Sequence, residues 1–290
     1  MAAKQKPISV LARESNGNIQ ITLTIPHPLV QEEKEEALQT LTARLEIPGF
    51  RPGKAPRDIA EKRIDKQDLY NEMLQKLLPD VYADSVEEHN LRPILAPRFE
   101  IVSIDENNDW TVRALTCELP TVDVGDYRKN ISGTLSASKI VVPGKNDPKD
   151  KKESSREDKE QKILESLIQN TKSQIAPLLI KEEVNHKLAK LLDQTQKLGL
   201  TVEQYLASTG KTTEGLRAEL AQQANDAIKL ELALNKIADE EKISVEDSEV
   251  EQLVTASGQE KPEEVKPQQK AMIKGVLKRR KALDRLLTLS

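Results

Sequence analysis

A charged stretch without apolar side chains divides this sequence into two different patterns. Residues 143–160 are proline, glycine, charged or small polar residues, and no apolar side chain follows Val142 until Ile163. Such a segment buries too little apolar surface to fold by itself, so it predicts a solvated linker or the frayed start of a helix. A chain of 290 residues is long enough for about two domains. We therefore expect one domain before this stretch and one after it.

The first part of the chain carries strand patterns. Four segments read as strands: residues 8–11, 19–25, 99–104 and 110–115. Asn16-Gly17 supplies a hairpin turn between the first two, and the polar residues 105–109 supply one between the last two. With helices between them, the two hairpins predict an α+β domain that closes near Leu119.

Three helices are predicted between the hairpins. Residues 28–45 have apolar side chains at three- and four-residue spacing, with glutamates near the positive end of the helix dipole. A short helix ends at about Ile64, and a longer one over residues 68–88 contains Pro79, which predicts a kink.

After the charged stretch the pattern is helical throughout. Pro177 opens a leucine-rich segment that ends at Gly199, and Thr201 and Thr212 have the positions of N-caps for the next two helices. Residues 267–289 predict a last amphipathic helix. The second domain is therefore expected to be all-α, with long helices.

Composition excludes several classes of site. Cys117 is the single cysteine, so neither an intramolecular disulfide nor a cysteine-built zinc site can form. His27, His89 and His186 are scattered, and none has the i, i+4 spacing of a helical metal site. No nucleophile–base pair or phosphate-binding loop stands out, so we expect no metal, no cofactor and no catalytic residue.

Charge and hydropathy indicate a cytosolic protein. The net charge of −4 gives no general attraction to nucleic acid or to anionic lipid. The first residues contain no apolar stretch of signal-peptide length, and no run approaches the ~18 apolar residues of a membrane span. We expect no membrane partner.

Residues 47–56, Ile-Pro-Gly-Phe-Arg-Pro-Gly-Lys-Ala-Pro, are the most informative segment. Two glycines and three prolines predict a constrained loop between helices, with Phe50 beside Arg51 and Lys54 at its tip. Such a tip can anchor in a shallow apolar pocket of a partner while its cations pair with carboxylates or phosphates. From composition alone, the alternative that Phe50 folds back into the core stays open.

This segment resembles the ribosome-docking signature of trigger factors, which reads G-F-R-x-G-K-x-P. All six defined positions of the signature are present: Gly49, Phe50, Arg51, Gly53, Lys54 and Pro56. The resemblance continues in Leu91-Arg92-Pro93 and, in the second half, in residues 177–184, 205–212 and 243–245. It covers about residues 1–130 and 160–290.

The resemblance implies a domain plan, a function and partners. Residues 1–130 would be an α+β ribosome-binding domain, 131–160 a charged linker in place of the family's isomerase domain, and 161–290 an all-α chaperone domain. The chain would bind unfolded or nascent polypeptides without ATP, beside the large ribosomal subunit near the exit tunnel, and could form a homodimer off the ribosome. The six signature residues would bind the ribosome, with Phe50 and Arg51 as the main contacts.

The sequence departs from the family pattern in two places. Pro52 stands where some members carry a lysine, which removes one possible cation from the loop and leaves Lys54. Trigger factors usually carry a prolyl-isomerase domain of roughly a hundred residues, the size of an ordinary small domain. Here residues 121–160 alone are available, with Tyr127 as the single aromatic side chain, whereas an isomerase pocket needs an apolar and aromatic lining. We therefore predict that the chain is not an enzyme.

Two other functions stay open at this point. A nucleic-acid-binding protein would use the loop cations and the last helix, in which seven cations face Asp284 alone: Lys270, Lys274, Lys278, Arg279, Arg280, Lys281 and Arg285. The aliphatic face of that helix, which lacks Trp and Phe, favours instead a packing helix with solvated cations. A retained prolyl isomerase is the third possibility.

Overall fold

The two predicted hairpins join into one antiparallel sheet of four strands. The computed structural model describes residues 6–45, 57–137, 156–257 and 265–289. The strands are β1 (Ile8–Arg13), β2 (Asn18–Ile25), β3 (Arg98–Ser103) and β4 (Trp110–Cys117), in the sheet order β1-β2-β4-β3. The central pair is β2 with β4, in a register that runs from Asn18 opposite Cys117 to Ile25 opposite Trp110. Both hairpins are confirmed, and the pairing between them is a contact that neither hairpin predicts alone.

Helices α1 (His27–Arg44), α2 (Arg57–Glu61) and α3 (Lys66–Glu88) follow the first hairpin. Alternate residues of β2 and β4 point into one core with α1 and α3, in which Leu23, Val112 and Met73 are fully buried. The alternation predicted from the sequence thus identifies the face of the sheet that the helices cover. The longer helix continues through Pro79 to Glu88.

The start of α1 differs from the prediction. Its first turn contains no acidic residue. Instead, Asp109 from the β3–β4 turn accepts a hydrogen bond from the backbone N–H of His27, at 2.8 Å. The reason is that Pro28 suits the first helical turn, so the helix begins before the glutamates, and a carboxylate distant in sequence satisfies the free N–H group.

The remaining described elements are mostly helical. They are β5 (Val122–Asp123), α4 (Tyr127–Ala137), α5 (Arg156–Asn170), β6 (Lys172–Ser173), α6 (Pro177–Lys197), α7 (Val202–Thr209), α8 (Thr213–Glu240), α9 (Asp247–Ser257) and α10 (Pro267–Leu287). Helices α4, α5, α8 and α10 share a core that contains the fully buried Ile131, Ile163, Ile237 and Leu286. The short antiparallel pair of β5 with β6 is an addition to the predicted all-helical pattern.

The chain divides into two compact units. Unit 1 contains Met1–Leu119 with Ala176–Leu178, and unit 2 contains Pro120–Ile175 and Leu179–Ser290. Unit 1 therefore ends at Leu119, where the second hairpin was expected to close the domain. The domain plan with limits at 130 and 160 stays a prediction; in unit 2, α4 packs into the core through Ile131 and Leu135.

The charged stretch is partly helical. Residues 138–155 lie outside the described residues, whereas α5 begins at Arg156, so 156–160 form a helix start rather than a linker. The guanidinium of Arg156 lies 2.6 Å from the carboxylate of Asp284, and that of Arg280 lies 3.2 Å from Glu160. Ion pairs with α10 thus hold a helix start that has no apolar residues of its own.

Candidate functional site

The predicted docking residues all fall outside the described residues. These are Gly49, Phe50, Arg51, Gly53, Lys54 and Pro56, with Pro52 among them. Their place in the chain is between α1, which ends at Arg44, and α2, which begins at Arg57. Their role in docking therefore stays a prediction from the sequence.

The helix that leads into this segment is held against α3. At its end, a guanidinium nitrogen of Arg44 lies 3.7 Å from a carboxylate oxygen of Glu72. About three turns earlier on α1, Glu33 lies 3.5 Å from the ammonium of Lys76, and burial raises the pKa of the Glu33 carboxyl despite that neighbouring charge. These contacts, with the packed apolar side chains between α1 and α3, position the point where the predicted docking segment begins.

Unit 2 contains an apolar pocket of about 190 Å3 between α6, α7 and the start of α8. We call it the α6–α8 pocket. Its lining residues are Leu188, Leu191, Leu192 and Thr195 from α6, Val202, Tyr205 and Leu206 from α7, and Thr213, Leu216 and Arg217 from α8. Residues 188, 191, 192 and 195 follow the three- and four-residue spacing of one helix face, so α6 contributes a continuous stripe.

Helix ends that the sequence predicts determine the shape of the pocket. Thr201 forms a capping box with Gln204 at the start of α7, and the hydroxyl of Thr212 accepts from the backbone N–H of Gly215 at 3.0 Å. Gly199 and Gly210 bracket α7 with φ of 70° and 65°, in the left-handed region that glycine adopts without strain. The chain can therefore reverse direction twice and bring three helices around one cavity.

Exposed leucines lie at the α6–α7 turn, where the backbone N–H groups of Leu198 and Leu200 donate to the carbonyl of the pocket-lining Thr195. Leu192, Leu198 and Leu200 are 43%, 75% and 40% exposed, and we call them the leucine patch. A group of exposed leucines beside an apolar pocket is typical of a surface that binds another molecule. The sequence analysis did not identify these residues, although two leucines flanking Gly199, in a turn where polar residues are usual, are a signal that could have found them.

The cations of the last helix have carboxylate partners within unit 2. Six of the seven predicted cations lie within 4.0 Å of an acidic side chain, among them Lys274–Asp247 at 2.6 Å, Arg279–Glu231 at 2.8 Å and Lys281–Glu249 at 2.7 Å. Lys278 also pairs with Asp239. These acids come from α5, α8, α9 and the segment between α8 and α9, so the sequence of α10 alone does not reveal them. The cations therefore belong to the packing of unit 2.

Ordinary hydrogen bonds or burial account for the surroundings of His27, His89 and Cys117. His27 lies 2.9 Å through Nε2 from the carbonyl oxygen of Glu106, and His89 lies 2.8 Å from the hydroxyl of Ser9. Cys117 is buried, and desolvation raises the pKa of its thiol. Among the described residues, no group of three or more His, Cys, Asp or Glu side chains is placed to hold a metal ion. No helix in the described ranges is long and apolar enough to cross a membrane.

Two protein families together match nearly the whole chain. The family described as bacterial trigger factor protein matches residues 8–142, and the family described as bacterial trigger factor protein C-terminus matches residues 145–288. Residues 143 and 144 alone lie between the two matches.

Individual relatives agree with the family matches. The trigger factor of Streptococcus pneumoniae (strain Hungary19A-6) is 30% identical over 135 residues, which is 47% of this chain and 31% of the relative. That of Streptococcus suis (strain 05ZYH33) is 30% identical over 142 residues, 49% of this chain and 33% of the relative. The chain thus spans about a third of the length of the curated relatives it matches.

A solved structure shares the fold over almost the full length. It comes from work on promiscuous substrate recognition in folding and assembly activities of the trigger factor chaperone, and it superposes with a TM-score of 0.66 at 15% identity. The superposition covers 96% of this chain and 99% of that one. Together with the matches over both halves, these likenesses show that the chain belongs to the bacterial trigger factor family.

Proposed function

We propose that this chain is a chaperone that works at the ribosome without ATP. Residues 49–56 would dock near the exit tunnel of the large subunit, and the α6–α8 pocket with the leucine patch would hold unfolded or nascent segments. The observation that carries the proposal is the leucine patch, because Leu198 is 75% exposed beside a cavity with a mostly apolar lining. Membership of the family supports the ribosome as the partner.

The size of the surface favours weak and reversible binding. A client that buries a few hundred Å2 of apolar area gains several kcal/mol, at about 25 cal/mol per Å2, before the cost of ordering it. That balance corresponds to a dissociation constant of micromolar order. Weak contacts to aliphatic side chains suit many different clients, and docking at the tunnel exit would offset the weakness by raising the local client concentration.

We also propose that the chain has no prolyl-isomerase activity and acts in the cytoplasm. The two family matches leave two residues for any domain between them, and Tyr127, the single aromatic side chain in residues 121–160, is buried in the core of unit 2. The homodimer expected off the ribosome would be measured by sedimentation velocity over a range of protein concentrations.

The chaperone proposal is tested by aggregation of a denatured client after dilution. Light scattering is measured with the wild type, with Leu192→Asp and with Leu198→Asp; both leucines are exposed, so the substitutions leave the core intact. Leu253→Asp and Met272→Asp are matched controls, since these side chains are 45% and 74% exposed elsewhere in unit 2. We expect suppression of aggregation to fall with the first pair and to persist with the controls. Equal loss in both pairs would contradict the assignment of the patch.

The nucleic-acid alternative has less support. Six of the seven cations of the last helix that motivated it are paired with carboxylates of unit 2, so that helix has few free cations to release counterions from a phosphate backbone. Aggregation suppression that disappears at moderate salt would nevertheless favour an electrostatic mechanism over apolar capture.

A further inference from the structure

The polar part of the α6–α8 pocket is rich in hydrogen-bond donors. Thr195, Tyr205, Thr213 and Arg217 are among its lining residues, which include no carboxylate. A guanidinium has five N–H donors and no acceptor, and it keeps its charge at every physiological pH. The hydroxyl of Thr195 already donates to the carbonyl of Leu192, at 2.9 Å. The ionic character of the pocket is therefore set by Arg217.

The guanidinium of Arg217 is available to a ligand. Acidic side chains of neighbouring segments have other partners: Asp193 with Lys197, Glu219 with Lys211, and Glu203 with its own backbone N–H and Thr201. Glu214 lies three residues before Arg217 on α8, yet within the described ranges Arg217 forms no ion pair with it or with any other carboxylate at 4.0 Å or less. An exposed arginine at the edge of an apolar cavity thus lacks the carboxylate partner that many cations of unit 2 have.

The cavity is large enough for one big apolar side chain. Its volume is about 190 Å3, and an apolar cavity of about 150 Å3 is known to admit benzene. In an extended peptide, side chains two positions apart lie on the same side of the backbone. A residue two positions from the buried side chain would therefore face the same surface of the protein, where Arg217 lies.

We propose that the α6–α8 pocket selects client segments in which a large apolar residue has an acidic residue two positions away, with Arg217 pairing with that carboxylate. This inference rests on the proposed chaperone function and names the class of segment that the pocket prefers. The apolar side chain supplies most of the affinity, and Arg217 supplies the choice between acidic and basic neighbours.

The test is binding of short fluorescent peptides to the full chain, followed by anisotropy. The peptides have a central Phe and carry Glu, Gln or Lys two positions away on both sides; a fourth has Ser in place of Phe. We expect the wild type to bind the Glu peptide about two- to fivefold more tightly than the Lys peptide at low salt, the range for an exposed ion pair. The preference should shrink at high salt.

Substitutions of Arg217 distinguish the effect of its charge from the effect of its size and shape. Arg217→Gln should abolish the preference, Arg217→Glu should invert it, and Arg217→Lys should retain most of it. Lys190→Gln removes a cation of α6 that does not line the pocket, so it is the control for net charge and should leave the preference unchanged. A preference that survives in Arg217→Gln, or an equal affinity of the wild type for the Glu and Lys peptides, would overturn the inference.

The Ser peptide distinguishes failure of this inference from failure of the proposed function. If the Phe peptides bind and the Ser peptide does not, the pocket captures apolar side chains whatever the role of Arg217. If all four peptides bind equally weakly, the pocket is not a client site, and both proposals fall.

Discussion

Replacement of Glu241 tests the idea that one carboxylate joins α4 to the end of α8. Its Oε1 accepts from the hydroxyl of Tyr127 at 2.8 Å and from the guanidinium of Arg128 at 2.5 Å, and its side chain is 10% exposed. Arg128 is 62% exposed, so its ion pair contributes little. Glu241→Ala leaves the buried Tyr127 hydroxyl without an acceptor, and we expect it to lower the free energy of unfolding by about 2 kcal/mol. Glu241→Gln keeps an acceptor and should cost about 1 kcal/mol.

The measurement is urea unfolding followed by far-UV circular dichroism. A loss of 2 kcal/mol corresponds to a fall of about 4–8 °C in Tm for a unit of this size. Glu240→Ala is the control, because Glu240 is 42% exposed and its one ion pair within the described residues is with Lys236 on its own helix, at 3.8 Å. It should change stability by less than about 0.5 kcal/mol. Equal effects of the two alanine substitutions would refute the reasoning.

The lowered pKa of Glu241 predicts that the stability of the fold depends on pH. Hydrogen bonds from Tyr127 and then Arg128 lower the pKa of Glu241 in the folded state. A carboxyl whose pKa is lower in the folded state than in the unfolded state stabilises the fold at pH values above the ordinary glutamate pKa. That contribution is lost as the pH falls to the folded-state pKa. The stability difference between wild type and Glu241→Gln should therefore be full at neutral pH and shrink under acid conditions. A difference that grows on acidification would contradict the assigned sign.

Three further predictions concern docking, catalysis and backbone strain. Phe50→Ala with Arg51→Ala should abolish co-sedimentation with ribosomes and leave the circular dichroism spectrum unchanged. Co-sedimentation of this double variant at the wild-type level would contradict the docking assignment. Purified protein should not accelerate proline isomerisation beyond the uncatalysed time of about tens to hundreds of seconds, measured on a proline peptide. Gly210→Ala places a side chain at φ of 65° and should destabilise the fold by about 1 kcal/mol in urea unfolding. Gly133→Ala should instead stabilise the fold by about 0.5–1 kcal/mol, because Gly133 lies in α4 and no neighbouring atom lies within 4 Å of the place that an added Cβ would take.

Local signals predicted the elements of this fold well. The turn at Gly17, with φ of 93°, and the N-caps Thr201 and Thr212 are where the sequence placed them. These features depend on a residue and its neighbours within about one turn, so a linear sequence contains the information. The docking segment was likewise identified from its residues and its resemblance to trigger factors, and its role awaits experiment.

Contacts between distant segments could not be predicted in the same way. Nothing local to Ile131 indicates that α4 packs with α5 and α8. The charges around Arg156 left both a linker and a helix start open, and the ion pair with Asp284 of α10 is a contact that only the packed chain provides. Single-helix analysis also left the cations of α10 without the acids that pair with them.

The sequence by itself determined the family, the two-part organisation, the hairpins and the helix ends, because these depend on composition, spacing and residues close along the chain. The tertiary structure alone decided the β2–β4 pairing, the packing of α4 into unit 2, the α6–α8 pocket and, within the described residues, the isolation of Arg217 from acidic partners. Those features arise when separate elements pack together, and the free energy that selects one arrangement over another is a property of the packed chain rather than of any single element.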